Sequence, residues 1–151
     1  MEVYKMVIFG TSSDLIFDIN LIIQLFLLLF LVIGVYIKRV KRVTKNHGYI
    51  MALATISNLL MTLLIMAPSL IINWGAIVSN PTNPGVIITL IHVVVGLTAI
   101  IGGLLFSIRF LFALRRGKGF SCGKRRSMLV VAGFWTLSII FGLSFYLYYY
   151  L

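Results

Sequence analysis

The segment 86–114 reads VIITLIHVVVGLTAIIGGLLFSIRFLFAL and decides the kind of solvent in which this chain folds. Its only ionisable side chains are His92 and Arg109. A lipid hydrocarbon core about 30 Å thick is crossed by a helix of roughly 20 apolar residues, and this segment exceeds that length. The segment therefore predicts a transmembrane helix.

Three more segments have the length and the apolar character of a membrane span. The four predicted helices cover about 15–37, 48–73, 86–114 and 127–150. Of the 151 residues, 61% are hydrophobic and 11% are charged, and the mean hydropathy is +1.10, which exceeds what a water-soluble core requires. We therefore expect an all-α fold, an integral membrane four-helix bundle in which residues 1–151 form a single membrane domain.

The net charge of +10 is concentrated in the two connections 38–45 and 115–126, whereas the connection 73–85 carries no charge. Because lysine and arginine concentrate in cytoplasmic loops, both basic connections are expected in the cytoplasm and both termini outside. Positive charge confined to two loops argues against a nucleic-acid partner and indicates contact with lipid headgroups. The sequence thus predicts a multi-pass protein of the plasma membrane, with the lipid bilayer as its first partner.

The sequence motifs of hydrolases, pumps and nucleotide-driven enzymes are missing. The three acidic residues are Glu2, Asp14 and Asp18, and Asp18 is expected at the outer edge of the first helix. There is no CxxC, P-loop or HExxH sequence, and the one cysteine, Cys122, excludes a disulfide within one chain. We therefore expect a protein that is not an enzyme and that has no soluble substrate.

Several polar side chains lie inside the predicted helices. Asn20 and Gln24 share one face of the first helix at a spacing of four, and Asn58 lies in the middle of the second. In lipid, such groups hydrogen-bond a neighbouring helix or reach the interface from a helix end. Arg109 lies close to the second basic connection, where its long side chain reaches the headgroups. Pro68 is expected to kink the outer third of the second helix.

Small residues recur at intervals of four along the last two helices. They are Ala99, Gly103 and Ser107 on the third helix, and Ser138 and Gly142 on the fourth. Small side chains at this spacing let two helix backbones approach closely. We expect these residues to form helix-packing faces, and we expect the tyrosine-rich end 146–150 to form an aromatic belt at the outer interface.

His92 is an intramembrane ionisable residue too deep to reach the interface, which makes it a candidate cofactor ligand. At a rise of about 1.5 Å per residue, His92 is level with Met66, whereas His47 is about 28 Å away along the membrane normal. One iron therefore cannot bind both imidazoles. His92 with Met66 could hold a haem b near the outer face, since methionine pairs with histidine on haem iron; otherwise His92 stays neutral and hydrogen-bonds a neighbour.

A second candidate site lies on the cytoplasmic side. His47 and Met51 are four residues apart on one helix face, and Met128 lies at a similar depth on the fourth helix. Imidazole and thioether groups suit copper(I). The alternative is that His47 is an ordinary interfacial residue among basic neighbours. Whether a cofactor binds stays open, with haem b, copper and no cofactor as the alternatives.

A family resemblance is carried by DINLIIQ from Asp18, by HGYIM from His47, by His92 and by the closing YLYYY. Together these runs resemble the membrane family catalogued as domain of unknown function 420, and the resemblance covers most of the chain. It implies a four-helix membrane protein. Some bacterial members of that family are linked to the maturation of haem-copper oxidases.

The chain departs from that family at two places. Family members often have another histidine near the outer end of the second helix and one just before the fourth, similar to the two-haem arrangement of cytochrome b561. This chain has Asn73 and Trp74 in the first region, and Lys124, Arg125 and Arg126 in the second. The resemblance therefore favours an accessory role over a haem held by two histidines.

The leading hypothesis is a non-catalytic accessory protein of a membrane oxidoreductase complex. It would be an assembly factor or a small structural subunit, with other membrane subunits of a terminal oxidase or a copper membrane monooxygenase as partners. The first alternative is a b-type haem or copper electron carrier resembling cytochrome b561. The second is a small transporter, which Pro68 and Asn58 in one helix favour and the lack of paired intramembrane charges disfavours.

Overall fold

The structure is a computed structural model that describes residues 15–41, 44–117 and 125–150. These residues are helical apart from short turns. Both basic connections are therefore described only in part, and Cys122 lies outside the described residues.

Six α-helices occur in the described chain, and two π-helical segments extend or interrupt them. The helices are α1 Leu15–Tyr36, α2 Thr44–Met61, α3 Ala67–Ile72, α4 Trp74–Ser79, α5 Pro84–Arg115 and α6 Arg125–Tyr150. The π-helical segments are Ile37–Lys41, which continues α1, and Thr62–Met66, which joins α2 to α3.

Four continuous helical runs are long and apolar enough to cross a membrane. They are Leu15–Lys41, Thr44–Ile72, Pro84–Arg115 and Arg126–Tyr150. Between 11% and 22% of the most apolar window of each run is buried inside the protein, so most of the apolar side chains face outward. An outward apolar surface of this extent requires lipid as its solvent. The chain is a multi-pass integral membrane protein with four helical spans.

Local sequence explains both ends of α5. Asn83 caps its start, because the Asn83 side chain accepts a hydrogen bond of 2.8 Å from the backbone N–H of Gly85. Pro84 occupies the first turn, where its missing N–H costs nothing. At the other end Gly117 adopts a positive φ of 60°, a conformation that glycine reaches without strain and that commonly closes a helix.

The chain accommodates Pro68 without ending the second span. Pro68 lies in the first turn of α3, and the π-helical segment Thr62–Met66 comes directly before it. A proline removes one backbone hydrogen bond and crowds the preceding turn, and a wider π-helical turn relieves that crowding. The irregularity expected from Pro68 is therefore a π-helical turn.

The four spans form a ring in which each packs against the next along the chain and α6 packs against α1. Neighbouring spans run in opposite directions. For α1 and α2 this follows from two contacts, since Gln24 meets Asn58 and Gly34 meets His47. The end that carries segment Ile37–Lys41 and the start of α2 is called the basic end, and the end that carries α4 and the connection 80–83 is called the neutral end.

A compact apolar layer closes the middle of the bundle. Its buried members come from all four spans: Leu27, Leu31, Ala54, Ala99, Trp135 and Ile139. This middle layer separates the two ends of the bundle interior, and each end contains its own cavity.

Candidate functional sites

Two cavities of similar size, each open to the outside on one side, lie at the two ends of the bundle. The basic-end cavity has a volume of about 640 Å³ and is lined by all four spans, among them by His47, Phe106 and Met128. The neutral-end cavity has a volume of about 630 Å³, and its lining includes His92 and Met66. Volumes in this range are typical of small-molecule and cofactor sites.

His47 is fixed in the wall of the basic-end cavity. The side chain is only 4% exposed, and its Nδ1 lies 2.8 Å from the backbone oxygen of Gly34 on α1. A carbonyl oxygen can only accept, so Nδ1 carries the hydrogen and donates it. In the neutral imidazole, Nε2 is then the nitrogen with a free lone pair.

Met51 lies directly beside His47. A methyl group built on Gly34 would lie 2.6 Å from the Met51 sulfur and 3.6 Å from His47 Nδ1, so a larger residue there would displace the Met51 side chain from α1. Met128, on α6, lines the same cavity. The structure thus brings the three predicted copper ligands to one cavity. Among the described residues, no group of three or more histidine, cysteine or acidic side chains could hold a metal.

His92 repeats this arrangement at the neutral end. Its Nδ1 lies 2.8 Å from the backbone oxygen of Ser138 on α6 and donates to it. A methyl group on Gly142 would lie 3.0 Å from His92 Cε1, which shows that α6 needs a small residue at this position. His92 and Met66 line the same cavity, in agreement with the depth calculated from the sequence. Met66 also receives a long contact of 3.9 Å from the Thr62 hydroxyl.

Amide side chains provide polar groups in the neutral-end cavity. Asn20 and Gln24 both line it. Gln24 Nε2 donates to Asn58 Oδ1 over 3.4 Å, which links α1 to α2. Asn20 Oδ1 is buried and has no hydrogen-bond partner among the described residues. Two of the three predicted intramembrane amides therefore bond to each other.

A buried pair of Asp18 and Tyr146 is absent from the sequence-based site prediction. Asp18 has no exposed surface, and the Tyr146 hydroxyl donates a hydrogen bond to its carboxylate. The sequence predicts Asp18 at the outer edge of the first helix and Tyr146 in an interfacial belt. A signal was available, because a carboxylate inside an apolar run requires a donor, and the antiparallel α6 brings a tyrosine to the same depth.

The small-residue face of α5 is used inside the protein. Ala99, Gly103 and Ser107 are all buried, and a methyl group on Gly103 would lie 2.9 Å from the Thr55 hydroxyl of α2. These residues therefore pack the bundle and do not offer a face to another subunit. Arg109 is exposed, in a shallow groove at the basic end that Arg126 also lines.

No protein-family model matches this chain, and no curated protein or solved structure matches it significantly.

Proposed function

We propose that this protein is a non-catalytic accessory protein of a membrane oxidoreductase complex, as an assembly factor or a small structural subunit. The proposal rests on one observation, which is that the interior polar groups form hydrogen bonds between helices. Gln24 bonds Asn58, Tyr146 bonds Asp18, and both histidines bond a backbone carbonyl of the facing helix. Intramembrane polar groups that serve proton or ion transfer line pathways in charged pairs. Here they join helices.

The resemblance to the membrane family catalogued as domain of unknown function 420 supports an oxidoreductase partner, either a terminal oxidase or a copper membrane monooxygenase. The charge pattern supports a plasma-membrane protein with the basic end in the cytoplasm. Outward-facing apolar side chains such as Leu64, Ile71 and Val94 provide ample surface for lipid or for a partner helix. Because the small-residue face is occupied internally, partner contact is assigned to this outer surface.

Crosslinking in the native membrane tests the accessory role. The tagged protein is crosslinked in intact membranes and purified, and its partners are identified by mass spectrometry. Oxidoreductase subunits should be enriched over a control preparation of an unrelated tagged four-helix membrane protein. Recovery as an uncrosslinked monomer, with the same background as the control, would sink the proposal.

An electron carrier is the second candidate function, and a specific observation favours it. Each imidazole donates Nδ1–H to a backbone carbonyl, the arrangement that orients a metal-ligating histidine. Each also shares its cavity with a methionine. In this function His92 and Met66 would hold a haem b, while His47, Met51 and Met128 would hold copper(I). Oxidised and reduced absorption spectra with metal analysis of the native protein separate this candidate from the first.

A further inference from the structure

The basic end of the bundle has an excess of positive charge that the described chain does not neutralise. Lys38 and Arg39 line the basic-end cavity, and Arg115 and Arg126 lie at the same end. Among the described residues the single carboxylate is Asp18, which is bonded to Tyr146 at the opposite end. No carboxylate of the described residues lies at this cavity, so its cations are available to an anion that enters it.

Lys38 is held in position at the cavity. Its ammonium group donates a hydrogen bond of 2.8 Å to the Thr44 hydroxyl, and the side chain is half-buried. A hydroxyl satisfies one of the three ammonium donors and none of the charge. Lys38 thus places a positioned cation at the wall of the cavity, unlike the exposed Lys41 on the same segment.

Below this cation the cavity is apolar and aromatic. Phe106 and Phe110 of α5 and Trp135 of α6 line it. Leu31 and Lys38 lie on the same α1 wall, and their spacing corresponds to a depth of about 10 Å at the rise of a helix. A lipid-embedded cavity with a cationic mouth and an apolar interior is complementary to a guest that has a negative charge at one end and an apolar body.

The buried imidazole of His47 adds a second polar point inside the cavity. His47 is more than nine-tenths buried and lines the cavity, and its Nδ1 is already bonded to Gly34. Its other ring nitrogen therefore remains for a guest. A buried polar atom facing an interior cavity is stabilised when a ligand supplies its partner.

We propose that the basic-end cavity binds one amphiphile with an acidic head and an apolar body, the head paired with Lys38 and the body packed on Phe106, Phe110 and Trp135. A long-chain fatty acid, an anionic phospholipid and a haem with its propionates share this chemistry. This binding site does not depend on the proposed accessory role, because it can be measured on the purified protein without any partner subunit.

Trp135 provides the reporter. The chain has two tryptophans, and Trp74→Phe leaves Trp135 as the single one. Trp135 is 3% exposed, so bilayer lipid outside the bundle does not touch it, whereas a guest in the basic-end cavity does. The Trp74→Phe protein is placed in nanodiscs and titrated with a brominated fatty acid or with haem. In a third experiment the nanodisc contains brominated phosphatidylglycerol, and brominated phosphatidylcholine is the neutral lipid control. Bromine quenches indole fluorescence at short range. Haem quenches it by energy transfer over a longer range, so for haem the cavity variants, and not the quenching alone, locate the site.

Matched variants locate the binding. Lys38→Met should weaken saturable quenching about tenfold or more, because a charge-assisted contact is lost, and Lys38→Arg should retain it. The control Lys41→Met removes a charge from the same segment outside the cavity and should have no effect. Ala132→Phe fills the cavity and should abolish quenching; Ser107→Leu is the alternative filling variant if Ala132→Phe does not fold.

The three probes identify the source of the guest. Saturable quenching by one of them, lost in Lys38→Met and in the filling variant, supports the proposal and names the class of amphiphile. Quenching that does not saturate, that is equal for phosphatidylcholine, or that persists in both variants overturns it. Absence of quenching by all three acidic probes overturns it as well.

Discussion

Replacing Gly103 with alanine should destabilise the bundle, although alanine is the better helix former. A methyl group at this position would lie 2.9 Å from Thr55 Oγ1 and 3.0 Å from Thr55 Cγ2. Thr55 is β-branched and buried, so rotation of its side chain exchanges one close contact for another. Overpacking of this kind costs about 1–3 kcal/mol, whereas glycine to alanine in a helix gains at most about 1 kcal/mol. The net change should be a loss of up to about 2 kcal/mol.

Unfolding of the purified protein in mixed micelles by increasing mole fraction of dodecyl sulfate measures this difference. Gly133→Ala is the matched control, because a methyl group there meets nothing within 4 Å. The control should gain up to about 1 kcal/mol from helix propensity. Thr55→Ala added to Gly103→Ala should recover most of the loss, because it removes both contacting atoms. A Gly103→Ala protein that gains as much stability as the Gly133→Ala control would refute the close approach of α2 and α5.

Three further outcomes are expected. A double-mutant cycle of Gln24→Ala and Asn58→Ala should give a coupling of about 0.6 kcal/mol, the average for interhelical hydrogen bonds in membranes; a coupling of zero would contradict the contact. Trp135→Phe should cost little in unfolding experiments without added ligand, because the buried Trp135 Nε1–H has no partner among the described residues; a loss above about 3 kcal/mol would contradict this. A membrane-impermeant maleimide should label Cys122 only after permeabilisation, whereas Ser79→Cys in a Cys122→Ser background should react in intact cells; the reverse pattern would invert the expected orientation.

Hydropathy predicts the four spans well because a bilayer imposes their length and composition. It does less well at the helix ends. The second span begins at Thr44, before the predicted start near residue 48, because the polar residues that open it still form helix while lowering the hydropathy. The third span begins at Pro84, where Asn83 provides the cap. Capping, which hydropathy ignores, is what determines such starts.

The sequence predicts the depth of each candidate site in the membrane, but it does not predict the hydrogen-bond partners of the histidines. A constant rise per residue brings Met66 level with His92 and keeps His47 at the opposite end, as the structure shows. The hydrogen-bond partners of both histidines are backbone oxygens, of Gly34 and Ser138. Every residue has such an oxygen, so side-chain type does not reveal which one is used. The oxygen that each histidine uses is determined by where a small residue lets the imidazole pack against the facing helix.

Three kinds of contact join the four interfaces of the ring. A histidine bonds α1 to α2 and another bonds α5 to α6, while a close glycine contact joins α2 to α5 and a carboxylate–tyrosine bond joins α6 to α1. Because each contact lies between one pair of helices, its removal should loosen one interface and leave the others intact. The two histidine side chains both join helices and line the two cavities.

This double use of the histidines determines which variants can test for a cofactor. His92→Ala removes both the bond to Ser138 and any ligand, so loss of a haem spectrum could follow from a loosened interface alone. Asparagine places an amide donor near the position of Nδ1 and has no equivalent of Nε2. His92→Asn should therefore preserve stability and remove ligation, and His47→Asn should do the same towards Gly34. If the asparagine variant is stable and the cofactor is lost, that imidazole is a ligand of the cofactor. If the cofactor is retained, other groups hold it.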